Sequence, residues 1–175
     1  MPDLLINIDD IKQFRPVSVE QKRADAYILE AQENDLRPVL NDALYRDFIN
    51  KVFDSGSGDY AKYQELLNGT TYTINSQTVD FPGVKPMLCY FALARIVMNN
   101  QINITSYSIV QKNIDQSTPV ENSTIKMLVT ELRSVAISYQ NRLQDFLREK
   151  QATYPLYNTL RTLDNNQTGL KFFKG

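Results

Sequence analysis

The 175-residue chain carries 19 basic and 20 acidic side chains, one cysteine and no histidine, with 42% hydrophobic and 22% charged residues. That length suits one domain with a real core, and the composition is that of an ordinary globular protein. A net charge of −1 excludes a protein whose main work is neutralising nucleic-acid phosphates, and the missing histidine removes Ser-His, Cys-His and most zinc chemistry together.

The opening Met1-Pro-Asp-Leu-Leu-Ile has neither a basic leader nor a long apolar stretch, so no secretory signal is expected. No run approaches the ~18 apolar residues of a membrane span. Ile8, Ile11 and Phe14 recur at helical spacing and predict one or two turns, ending before Pro16. Ser18-Val-Glu-Gln21 has the form of a capping box. It predicts a helix to about Asn34 with Ala24, Tyr27, Ile28 and Ala31 on one face. Pro38 is tolerated in a first helical turn but not in a helix interior. A break near 35–37 is therefore expected, then a helix from Pro38 to Phe53 with Leu40, Ala43, Leu44, Phe48 and Val52 inward.

Asp54-Ser-Gly-Ser-Gly-Asp59 is a loop; no apolar strand precedes it and no Lys-Ser/Thr follows, so it lacks the context of a phosphate loop. A short helix, 60–67, stops at Gly69. The period then drops to two: Tyr72, Ile74, Val79 and Phe81 alternate with polar residues about Asn75-Ser-Gln77, predicting a hairpin over 71–81 with a three-residue turn. Val84 to about Asn99 is apolar nearly all round and predicts the central buried helix. Cys89 lies within it and reads as an inert buried thiol. Residues 101–119 read as an extended excursion anchored by Ile102, Ile104, Tyr107 and Ile109.

The longest helix, 121–150, keeps Ile125, Leu128, Val129, Leu132, Val135, Ala136, Tyr139, Leu143, Phe146 and Leu147 in one stripe. Its length exceeds what a compact domain needs, so part is expected to project or to pack on a neighbour. The remaining residues, 152–175, form a tail carrying Tyr154, Leu156, Tyr157, Leu160, Leu163, Phe172 and Phe173. These are costly to leave in water, which predicts docking on a neighbouring subunit. The expected architecture is mainly α, a bundle of about five helices over 1–151 with one small β-hairpin and an extended C-terminal tail.

Asp9-Asp10 with Glu30, Glu33 and Asp35 are the carboxylates that invite a metal or acid/base reading. Glu30 and Glu33 share a helix face, yet no histidine and no second matching acidic helix completes a di-metal pattern. They read as a solvated face, and no cofactor is expected. The sequons at Asn68, Asn103, Asn122 and Asn166 read as chance in a chain rich in Asn and Thr. Lys62-Tyr63 and Lys171-Phe-Phe-Lys174 lack the continuous basic groove of a single-strand binder.

The block Ala31-Gln-Glu-Asn-Asp-Leu-Arg-Pro-Val-Leu-Asn-Asp-Ala-Leu-Tyr45 resembles the opening of bacteriophage head-to-tail connector proteins. So do the elements after it: Tyr63-Gln-Glu-Leu-Leu-Asn-Gly69, a hairpin, Val84-Lys-Pro-Met-Leu-Cys-Tyr-Phe-Ala-Leu-Ala-Arg95, a long helix and Tyr154-Pro-Leu-Tyr157. The likeness is strongest to versions in phages of gut and marine Bacteroidetes, including the crAss-like group. It implies a non-enzymatic virion subunit, assembled in the host cytoplasm. Such a subunit forms a homo-oligomeric ring, usually of twelve copies, between the portal protein and the next tail or ring protein. The ring lets double-stranded DNA pass and has no membrane contact. The hairpin and the tail are the expected contact segments, through Tyr72, Ile74, Val79 and Phe81 and through Tyr154, Leu156, Tyr157, Leu160, Phe172 and Phe173. The rival readings are another helical capsid, tail or protein-interaction domain, and a small DNA-packaging subunit, which would need a basic helix. An enzyme built on Asp9, Glu30 and Glu33 ranks behind them.

Overall fold

The computed structural model describes residues 3–99 and 121–157, together with the backbone of 102–104 and 109–111. It is a mainly α bundle: α1 (Ile8–Phe14), α2 (Gln21–Ala31), a π-helical turn (Gln32–Leu36), α3 (Arg37–Lys51), α4 (Tyr60–Asn68), α5 (Lys85–Asn99) and α6 (Asn122–Glu149). A hairpin of β1 (Thr70–Ile74) and β2 (Gln77–Phe81) lies between α4 and α5, and β3 (Ile102–Ile104) pairs antiparallel with β4 (Ile109–Gln111) between α5 and α6. The sequence reads that last region as an extended excursion; part of it is this short strand pair.

The first helix owes its start to Asn7. Its Oδ1 accepts from the backbone N–H groups of Asp9 and Asp10 at 2.8 and 3.0 Å, and the Asp10 carboxylate accepts from the Asn7 N–H at 2.9 Å. This reciprocal arrangement satisfies donors that a helix start leaves open. The capping box expected at Ser18 does not form. Glu20 is the cap residue of α2 and makes no side-chain cap bond.

The helix–Pro–helix run also differs from expectation. No break occurs at residues 35–37. The chain passes from α2 into a π turn, in which the Arg37 N–H bonds the Gln32 carbonyl five residues back, and then into α3. Pro38 explains the wide turn, because in α geometry its ring would meet the carbonyl four residues earlier and its missing N–H would orphan that group. The break comes at Asn41, whose φ of 64° and ψ of 165° lie in a region nearly reserved for glycine. Its Oδ1 accepts from the N–H groups of Ala43 and Leu44 at 3.0 and 3.1 Å, so Asn41 caps the rest of α3 from inside the run.

The π turn carries a second device. Gln32, fully buried, accepts from the Leu5 N–H at 2.7 Å and donates to the Asp3 carbonyl at 3.3 Å. It thereby pins the N-terminal segment, whose Leu5, Ile6, Ile8 and Ile11 enter the core. Arg95 of α5 closes the same region with ion pairs to Asp35 at 2.5 Å and Glu30 at 3.5 Å.

The hairpin pairs Thr70 with Phe81 through to Ile74 with Gln77. Its turn is therefore Asn75-Ser76 alone rather than the three residues expected, and both have positive φ, 50° and 66°. Positive φ at both central residues gives the turn a twist that matches the right-handed twist of the flanking strands. At the hairpin base the backbone of Gly69 crosses that of Gly83, with φ values of 100° and 80°. A Cβ on Gly69 would stand 2.5 Å from the Phe81 carbonyl oxygen, and one on Gly83 would stand 2.5 Å from that of Leu67.

As expected, α5 is the central helix. It packs against α6, α2 and α1 and buries Met87, Leu88, Cys89, Phe91, Ala92, Leu93, Ala94 and Ile96. Burial, helped by nearby Asp10, pushes the Cys89 thiol up to about 12. Among the described residues no helix is long and apolar enough to cross a membrane.

Two outcomes are expected. Gly83→Ala costs about 2 to 3 kcal/mol, because neither backbone can retreat and positive φ is strained for alanine; chemical denaturation should show the loss, with Gly58→Ala, in open space, close to neutral. Cys89 resists an aromatic disulfide reagent at pH 8 in the native protein and reacts stoichiometrically once urea unfolds it.

Candidate interaction surfaces

The expected contact residues fall into three groups. Tyr72 and Phe81 of the hairpin and Tyr154 and Tyr157 of the tail are buried within the chain itself. Tyr72, Phe81 and Tyr154 converge on Phe146 of α6. The Phe81 ring stacks on Phe146 at 4.0 Å and 6°, Tyr72 meets it edge-on at 5.2 Å, and Tyr154 at 5.8 Å. Tyr154 continues to Tyr63 at 6.4 Å, and Tyr63 to Phe48 at 5.5 Å. Aromatic pairs at these separations and tilts are mutually favourable. Ile74 and Val79 are half-buried against the core, and Leu156 is exposed. Leu160, Phe172 and Phe173 lie outside the described residues.

This corrects the expectation for the first part of the tail. Residues 152–157 dock on their own chain rather than presenting Tyr154 and Tyr157 to a neighbour. Two anchors hold this strap. The Tyr154 hydroxyl donates to the Lys62 carbonyl of α4 at 2.8 Å, and Asn41 Nδ2 donates to the Leu156 carbonyl at 3.0 Å. Asn41 thus caps α3 with one side-chain atom and holds the strap with the other. Burial explains the choice, since two tyrosine rings gain more inside than a solvent-exposed tail gains in freedom.

The surface available for contact lies elsewhere. On α6 the face over 123–141 exposes Met127, Thr130, Ser134, Ile137, Ser138 and Asn141, flanked by Lys126 and Arg133 on one side and by Glu131, ion-paired with Arg15, on the other. Met127 is 69% and Ile137 48% exposed, and Met98 near the end of α5 is 54% exposed. The sequence held a signal for this face: Met127 and Ile137 are the large apolar residues of α6 that fall off its buried stripe. With 28 residues at 1.5 Å each, α6 is about 42 Å long.

Electrostatics is local and structural. Lys51 bridges Asp47 and Asp59, each at 2.8 Å, Lys62 reaches Asp59 at 2.9 Å, and the Tyr63 hydroxyl donates to Asp47. This ladder ties α3, the Gly-Ser loop and α4. Burial pushes Asp47 upward, but hydrogen bonds from Lys51 and Tyr63 outweigh it and hold the carboxyl below its usual value. Hydrogen bonds from Lys51 and Lys62 lower Asp59, and those from Arg37 and Tyr45 lower Glu33. Of the candidate acids, Glu33 is held by Arg37 and Tyr45, Glu30 and Asp35 face Arg95, Asp10 is a helix cap, and Asp9 pairs with Lys12. Among the described residues no three acidic or thiol groups gather as around a metal ion.

Fold and surface together define a helical module whose distinctive parts are packing devices and a partly apolar rod face. A family described as a family of unknown function, DUF6712, matches residues 36–167, about three quarters of the chain, and the chain belongs to that family. No curated protein and no solved structure matches.

The lowered carboxyls fix a pH dependence. A carboxyl lowered on folding adds stability that is present above its unfolded value and lost as pH falls through the folded one. The urea midpoint should therefore be flat from pH 5 to 8 and fall below about pH 4. Asp47→Asn should lower the plateau and make the acid fall shallower; an unchanged acid limb would remove Asp47 from this account.

Proposed function

We propose that this chain is a structural virion subunit of a bacteriophage, forming a ring between portal and tail that extends the DNA channel and offers a platform to the next component. The ring copy number implied by the resemblance is twelve. The motif order from the helix–Pro–helix block to Tyr154-Pro-Leu-Tyr157 supports the reading. So does one observation of structure: the outward face of α6, with Met127 and Ile137 in water. Large apolar groups on a long rod, bordered by charged side chains, suit a contact between copies.

A cyclic ring needs two unlike faces on each subunit. The α6 face is one. The hairpin edge with Ile74 and Val79 is the candidate for the other. A near-neutral net charge suits a wall along which DNA slides without being gripped. The ion pairs of Glu30, Glu33 and Asp35 support a structural reading of the acids over a catalytic one.

Purified protein, alone and with its portal, examined by light scattering and electron microscopy, should give closed rings. Met127→Lys/Ile137→Lys should keep the helical circular dichroism and lose the ring. A chain that stays monomeric with its portal present sinks the proposal, and rings that persist in the double variant remove α6 from the interface.

A further inference from the structure

A cleft of about 580 Å³ is walled by the N-terminal segment, the start of α2, the residues just after α3, and α4. Its apolar side is Leu4, Leu67, Tyr60 and Phe53, the last 50% exposed although it is a large ring beside the core. Its polar side is acidic on balance: Asp10 and Asp25 face it, with Lys85 the one cation in its lining. Asp25 takes a hydrogen bond from Gln21 at 2.6 Å, and Lys85 stands 3.7 Å from Asp10. A site of this volume, apolar with a few acids, fits one or two large side chains flanked by positive charge.

The sequence contains such a segment, Leu170-Lys-Phe-Phe-Lys174. It pairs aromatic and aliphatic bulk with two lysines and no acid, complementary to the cleft in both respects. Position supports the match. The strap before it already folds onto its own chain, and Tyr154 is bonded to Lys62 of α4, the helix whose Tyr60 and Gln64 line the cleft. The twelve residues 158–169 span up to about 40 Å when extended, comparable with the diameter of a domain of this size. A tether of that length also keeps the segment at high effective concentration near its own cleft.

We infer that Leu170–Lys174 docks in the cleft of its own chain, Phe172 and Phe173 against Phe53, Tyr60 and Leu67, and Lys171 and Lys174 beside Asp25 and Asp10. The inference is independent of the ring reading, since a monomer would show it equally.

The test uses the full chain with Asn68→Cys at the cleft rim and Gly175→Cys at the end of the segment, oxidised with glutathione disulfide at low protein concentration; native Cys89 is buried and silent. An intramolecular disulfide is expected. Asp25→Lys should slow its formation at least fivefold, Lys171→Glu/Lys174→Glu should slow it similarly, and combining the two should restore much of the rate. Ser138→Cys on α6 in place of position 68 should cross-link at least tenfold more slowly. Covalent dimers in place of the intramolecular bond would assign the cleft to a second copy and overturn the inference. Equal rates at positions 68 and 138, or rates indifferent to the charge reversals, would overturn it as well.

Discussion

Phe146 holds together three segments that are weak alone. A two-stranded hairpin is marginal in water, a six-residue strap has no regular hydrogen bonding of its own, and a helix as long as α6 needs a packed face to stay in place. The ring of Phe146 gives each a partner: Phe81 stacked at 4.0 Å, Tyr72 and Tyr154 edge-on. Through Tyr154 and Tyr63 the contact continues to Phe48, so an aromatic seam runs from the hairpin to α3. Truncating a buried ring of this kind leaves a cavity whose cost depends on how far its neighbours can collapse. Here the neighbours are other rings and a hairpin clamped at its base, with little freedom to close it.

A second network is built of polar atoms. Gln32 ties the N-terminal segment to the π turn, Arg95 ties α5 to the same turn, and Asn41 joins the α3 cap to the strap. Buried or half-buried, these groups are worth more as satisfied networks than singly. The Asn41 backbone shows the cost: its dihedrals are held in a sparsely populated region by bonds on both sides of the side chain. Pro38, the residue that first draws the eye, acts one turn earlier by widening the helix.

Much of the bundle was legible in the sequence because periodicity reports which face is buried. The stripe of α6 and the all-round apolar character of α5 predicted both helices to within a residue or two, and the change to period two located the hairpin. Features set by backbone geometry were not legible. Nothing in Asn41 announces positive φ, Ser18 and Gln21 fit a cap rule that Asn7 and Asp10 fulfil instead, and the turn at Asn75-Ser76 is one residue shorter than composition suggests. The surface was harder still. Large apolar residues in a tail suggest contact groups for a neighbour, whereas Tyr154 and Tyr157 are core residues of their own chain. Met127 and Ile137 were visible only as exceptions to a pattern.

The glycine crossing at the hairpin base has a mechanical consequence. Carbonyl oxygens 2.5 Å from where each Cβ would stand leave no room for a side chain at Gly69 or Gly83, and shearing the two strands would break the ladder from Thr70–Phe81 to Ile74–Gln77 that starts there. The hairpin is therefore a lever with a fixed fulcrum. A push on the exposed Asn75-Ser76 tip is not absorbed by shearing one strand along the other; it travels to α6 through the Phe81–Phe146 stack and the bond from Arg142 to the Asp80 carbonyl. Whatever touches that tip is in stiff contact with the longest helix of the molecule.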